Sequence, residues 1–180
     1  ILDAMGLTYR IVLDANIYTM NNRAEAFWMK KGILGDTVPL ELNAKELVHR
    51  NNKNSELTVY GYTPMMVSVQ CVQKTMDHCN HACVQYVLKD RYQKEFRGVC
   101  SCEFCYNTIY NTLPTSLLKE KEKAEKLGVK AYRLSFTIET QQETEKIVRA
   151  FVDVYLRGQK PDGQMQTEET TKGHFQRGVE

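Results

Sequence analysis

Cys100, Cys102 and Cys105 fall within six consecutive positions of the stretch GVCSCEFCYNTIYN, residues 98–111. Cys71, Cys79 and Cys83 precede them, and these six are all the cysteines of the chain. Thiols this close together pair as disulfides, bind a metal or iron–sulfur cluster, supply a nucleophile, or pack as small apolar groups. A secreted disulfide scaffold spreads its cysteines over a short, core-poor chain. Here all six sit between residues 71 and 105 of 180, and 42% of the residues are hydrophobic, so a core forms without staples. That pattern favours a metal or cluster site. Cys102 and Cys105 form a C-x2-C turn, which points two thiolates at one ion, and Cys71 and Cys79 add a C-x7-C pair. Four thiolates from two loops suit a [4Fe–4S] cluster or tetrahedral zinc equally well by number. A zinc ribbon normally carries two short C-x2-C knuckles and this chain has one, so the spacing leans towards iron–sulfur, with zinc as the alternative. Cys83 and Cys100 are left over as spare thiols. His78 and His81 could ligate zinc, but in a polar loop such residues are more often solvated. No residue nearby stands out as the base that a nucleophilic cysteine needs.

The elements that must position these thiols alternate in type. YRIVLDAN (residues 9–16), TVPLELN (37–43), ELTVYGY (56–62) and AYRLSFTIE (131–139) read as buried strands. NRAEAFWMKKG (22–32), AKELVHRNN, TSLLKEKEKAEKLG (115–128) and TQQETEKIVRAFVDVYLRG (140–158) read as helices, the last opened by a Thr140/Glu143 capping box. The cysteine window between the third and fourth strands reads as irregular. Strand–helix alternation predicts an α/β fold of four parallel βα units, half of a (β/α)8 barrel or a small open sheet. The expected layout is an α/β domain over residues 1–158, with a cysteine-rich insertion at 71–105 and a polar tail at 159–180. Function then gathers at the carboxyl ends of the strands, where the chain places Asp14, Asn16, Glu41, Asn43, Tyr60, Tyr62, Thr137 and Glu139. Taken singly, such residues are commonly helix caps and turn formers.

Charge narrows the classes further. The net charge is +2, from 24 basic and 22 acidic residues, too balanced to mark a nucleic-acid binder by itself. Neither a membrane-length apolar run nor a basic-then-apolar leader is seen, so no membrane partner and a cytoplasmic location are expected. The chain opens on Ile1, which predicts a piece cut from something longer, with the rest of that chain as a partner. The motifs H-E-x-x-H and G-x-S-x-G are absent. The run KEKEKAEK, 119–126, reads as a solvated helix face.

ELTVYGYTPMMVSVQCVQKTMDHC, LKDRYQKEF and CEFCYNTIYNTLPTSLL together resemble the barrel of the peptidase U32 (collagenase-like) family. IVLDANIYTMNNRAEAFW and VPLELNAKEL resemble its strands, and TTKGHFQRGVE its barrel-ending segment. The similarity is greatest to the longer members of the family, those of the ribosomal-RNA cytidine hydroxylase type. Met66 stands where shorter members carry their first cysteine, which leaves Cys71 as the thiol near that motif. The resemblance implies an iron–sulfur protein that adds oxygen to a pyrimidine base of RNA, with the cluster at the barrel mouth. A U32-type peptidase and a non-catalytic RNA-binding module with a structural cluster are the alternatives. The loop placement after the third strand and the C-x2-C turn make Cys71, Cys79, Cys102 and Cys105 the expected cluster ligands. The catalytic candidates are Glu41, Asn43, Tyr62, Arg91 and His174. RNA contacts would come from Tyr86, Tyr92, Tyr106 and Tyr110 by stacking, and from Lys89, Arg91, Lys94 and Arg97 at phosphates. A half-barrel also predicts two unpaired edges and a homo-oligomer, with Ile11, Leu13, Leu134 and Phe136 near the contact.

Overall fold

The computed structural model describes residues 4–161 and 169–178. In chain order the strands and helices are β1 (Val12–Leu13), α1 (Asn22–Lys30), β2 (Gly35–Thr37), α2 (Ala44–Leu47), β3 (Ser55–Gly61), β4 (Pro64–Ser68), α3 (Val72–Thr75), β5 (Gln85–Lys89), β6 (Glu95–Ser101), β7 (Tyr106–Tyr110), β8 (Thr115–Ser116), α4 (Lys121–Lys126), β9 (Ala131–Ser135), α5 (Gln141–Phe151) and α6 (His174–Arg177). Two sheets result. In the first, β1, β2, β3 and β9 lie parallel in that order, and the short β8 pairs antiparallel with the end of β3. The second is antiparallel, in the order β4-β7-β6-β5.

The α/β class is as expected, and the sheet is open rather than closed into a barrel. The segment expected to be irregular differs most. Residues 64–110 form the second sheet, because the runs around the cysteines alternate along the strand. Residues Tyr106–Tyr110 of β7 are buried at every second position, and β6 and β5 pair across a tight turn at residues 91–92. The second strand runs over Gly35–Thr37 rather than 37–43, since Pro39 cannot donate to the ladder and a turn begins at Leu40. The 115–128 helix starts late: Thr115 and Ser116 join the sheet, Leu118–Glu120 form a 3-10 turn, and α4 follows.

The core lies between the parallel sheet and the helices α4 and α5. Leu57 and Val59 of β3 pack with Leu117, Leu118, Leu127, Phe151 and Val154. Capping sets the helix starts. Thr140 Oγ1 accepts from Glu143 N while Glu143 Oε2 accepts from Thr140 N, the capping box read from the sequence. Past Phe151 the helix widens into a π-turn over Val152–Leu156. Of the residues expected near a contact between copies, Leu13 is buried, Leu134 and Phe136 are partly buried against the core, and Ile11 is half-buried. Phe175 of α6 also inserts into the core, tying the end of the polar tail back to the domain. Tail residues 162–168, 179 and 180 fall outside the described residues.

A polar knot stands behind β2. Asp36, 1% exposed, is ion-paired with Arg50, 7% exposed. Arg50 Nε donates to the Thr19 carbonyl at 2.8 Å, and Nη1 donates to Asn52 Oδ1 and Ser55 Oγ at 2.9 Å each. Ser55 Oγ donates to Asp36 Oδ1 at 2.6 Å, and Thr19 Oγ1 donates to Asp36 Oδ2. A buried charge pair persists only when its hydrogen-bonding capacity is met in this way.

Candidate functional site: a thiol cluster and a strand-end cleft

The second sheet gathers the cysteines. β6 and β7 are joined by the four residues Cys102–Cys105, so the C-x2-C pair occupies one hairpin tip, with Cys105 in the left-handed region at φ 51°. Cys71 caps the single-turn helix α3, and Cys79 and Cys83 lie in the following loop. All six thiols are unpaired. Burial raises the Cys102 thiol, and Cys83, Cys71, Cys79 and Cys105 raise it further through their charges. The four expected ligands therefore share one neighbourhood, and Cys83, expected to be a spare, shares it too. Among the described residues no three His, Cys, Asp or Glu side chains stand in metal-holding geometry, and the Cys102 thiol donates instead to the Ala82 carbonyl at 2.8 Å.

Cys100 is different. It is buried, its thiol donates to Asn107 Oδ1 at 2.8 Å, and burial together with Cys71 pushes it up to about 11. Cys71 itself is lowered, first by the Lys74 backbone N–H. Asn107 was not singled out from the sequence, although it closes the CYN stretch. Its amide donates to the Gln70 carbonyl at 2.9 Å, so one side chain holds both Cys100 and the backbone leading into Cys71. The Tyr86 ring lies over Gly98 of β6, and its buried hydroxyl has no partner. Its phenol is raised by burial and then by Cys100 and Cys71. Once deprotonated, these sulfurs are the soft donors that a thiolate-bound metal or cluster takes.

A second feature sits at the carboxyl ends of the parallel strands, a cleft of about 890 Å³. Asp14 and Asn16 after β1, Thr37 of β2, Tyr62 after β3, and Ser135 and Thr137 around the end of β9 line it, and residues 171–178 of the tail form one side. None of the cysteines lines it. β4 and β7 run from the cleft, at Pro64 and Tyr110, to the thiols, near Ser68 and Asn107, a span of about 13 Å at the usual rise per strand residue.

The catalytic candidates divide between places. Tyr62 and His174 line the cleft. His174 Nδ1 lies 2.9 Å from the Gly178 carbonyl, which can only accept, so Nδ1 carries a proton and donates it there. Asn43 caps α2, accepting from Lys45 N and Glu46 N, and Glu41 sits in the turn before it; neither lines the cleft. Arg91 is at the β5–β6 turn, its guanidinium 4.7 Å from the Tyr92 ring centre. Asp14 and Glu139 prove to be local caps, Glu139 Oε2 accepting from Thr137 N and Ile138 N. Tyr110 is raised by burial despite its bond to Thr137. Two orphaned oxygens complete the inventory, Thr37 Oγ1 in a cleft-lining residue and Glu139 Oε1.

No protein-family model, no curated protein and no solved structure matches the chain.

Proposed function

We propose that the chain is part of a U32-type iron–sulfur protein that hydroxylates a pyrimidine base of RNA, replacing a ring C–H by C–OH with oxygen from an external donor. The observation that carries this reading is the set of unpaired Cys71, Cys79, Cys83 and Cys105 whose charges act on Cys102, at the β6–β7 hairpin tip and the α3 segment beside it. Cys71, Cys79, Cys102 and Cys105 would hold the cluster, with Cys83 beside them. A [4Fe–4S] cluster supplies one-electron chemistry when bound. The chain's own residues do the rest. Asn107 fixes the strand ends that carry the thiols, and Tyr86 offers its free hydroxyl beside them. The β5–β6 hairpin presents Lys89, Arg91, Lys94, Arg97 and the exposed Tyr92, groups suited to the phosphates and bases of an unpaired loop. Four parallel strands side by side in chain order also suit half of a (β/α)8 barrel. Six neighbouring unpaired thiols suit the reducing cytoplasm.

The test is the iron and acid-labile sulfide content of anaerobically purified protein, with its absorption spectrum. Iron and sulfide are expected together, and Cys102→Ser should deplete both. In cells, Cys105→Ser should abolish a base modification at unchanged protein level. Gelatin cleavage that survives Cys105→Ser would instead establish the peptidase reading. Zinc without sulfide would leave only a structural thiolate site.

A further inference from the structure

We infer that the strand-end cleft binds a phosphorylated ribose unit. Three observations converge there. The charged residues lining it are Arg133, Lys172 and Arg177 against Asp14, with His174 beside them. Arg133 is tied to Glu56 and Lys172 to Glu120, whereas Arg177 makes no ion pair among the described residues. An uncommitted guanidinium at a concave site matches a phosphate, because its planar fork donates two parallel hydrogen bonds. The second observation is Thr37. It is 2% exposed and lines the cleft, and its hydroxyl has no partner. Buried hydroxyls are nearly always bonded, and an orphan at the floor of a cleft calls for a ligand oxygen to complete it.

The third observation is the wall chemistry. Asn16, Thr63, Ser135, Thr137 and Thr171 share the lining with Thr37 and bring hydroxyl and amide groups, beside an apolar side that includes Val38, Leu40, Leu42, Met65 and Phe175. Such a mixed surface suits a sugar, whose hydroxyls meet the polar groups while its C–H faces pack on the apolar ones. Thr37 belongs to the strand-end floor and Arg177 to the tail that closes one side. A ligand meeting both must carry hydroxyls at one end and phosphate at the other. Bare phosphate satisfies one partner, while a ribose phosphate satisfies both. The position agrees with the general rule that parallel sheets bind ligands beyond the carboxyl ends of their strands. The site needs no thiol, so it stands or falls independently of the cluster. Its ligand has two sources, a free nucleotide or sugar phosphate, or one nucleotide of an RNA strand.

Equilibrium titration of the whole chain at low salt separates the possibilities, with inorganic phosphate, ribose 5-phosphate, cytidine monophosphate and a short single-stranded oligoribonucleotide as probes. Ribose 5-phosphate should bind at least about tenfold more tightly than phosphate, one tenfold step being one good interaction. Arg177→Gln, at an exposed tail position, should weaken binding about tenfold, and Thr37→Val several-fold. Thr37→Val removes an orphaned hydroxyl at constant shape, so its melting temperature should not fall. A purely structural Thr37 would leave affinity unchanged. Tighter binding of the oligonucleotide than of the mononucleotide assigns the site to a strand, and the reverse assigns it to a free ligand; either result upholds the chemistry. Failure of both ribose phosphates to saturate, or unchanged affinity in both variants, overturns it. Repeating the titration on Cys102→Ser keeps the two proposals apart, since cleft binding should persist there whatever the metal content.

Discussion

Asp36 and Arg50 show how much one side chain can carry. Both are almost fully buried, and each is bonded by neutral partners as well as by the other. The pair itself adds little net stability, because desolvation offsets the attraction, but breaking it strands a buried charge. Asp36→Ala should therefore destabilise the fold by about 3–5 kcal/mol, read as a lower urea midpoint at unchanged slope. A loss below about 1 kcal/mol would mean that water reaches Arg50. Cys100 has the same character in miniature. Its thiol completes Asn107, so it acts as a packed, bonded group rather than as a reactive thiolate.

Among the elements, the antiparallel sheet depends on a close approach between β5 and β6. Tyr86 pairs with Gly98, and a Cβ on Gly98 would stand 2.3 Å from Tyr86 Cζ. The ring cannot stay. Gly98→Ala should destabilise the sheet by about 1–3 kcal/mol, the usual range for an overpacked site. It should also swing Tyr86 off the thiols, which hydrogen exchange across β5 and β6 and the environment of the Tyr86 hydroxyl would report. Unchanged protection in both strands would show that the ring is not held by this contact.

For the molecule as a whole, the tail closes the cleft, and two anchors hold it: Phe175 in the core and Lys172 on Glu120. Burial pushes the Glu120 carboxyl up, but its bonds from Lys123 and Lys172 outweigh that and hold it below the ordinary range. A carboxyl lowered by folding contributes stability that is full above its unfolded value of about 4.3 and is lost as pH falls through the lower folded value. Lys172→Met should thus melt earlier than the parent near neutral pH, and the gap should close below about pH 4. A gap independent of pH would rule the ion pair out as the tail's anchor. No helix among the described residues is long and apolar enough to cross a membrane.

Much of this was legible in the residues themselves. The four parallel strands and the Thr140 capping box follow from apolar runs and cap chemistry, which are local properties. So does the C-x2-C turn, since its spacing alone reads as a turn that points two thiols the same way. The antiparallel sheet was hidden, because β4 to β7 alternate over short spans and find their register only by pairing with one another. Asn107 was hidden for the same reason: a lone asparagine carries no signal until Cys100 and Gln70 arrive beside it from other segments. Conversely, Glu41, Asn43 and Tyr62 looked alike as polar strand ends, and folding brings only Tyr62 to the cleft. The orphaned Thr37 hydroxyl and Arg177, which makes no ion pair among the described residues, line one cleft because the core takes Phe175 and bends the tail back over the strand ends. Local sequence sets which residues can form strands, caps and turns. Which of them meet depends on burial of apolar side chains far apart in the chain, a long-range choice that short-range spacing does not encode.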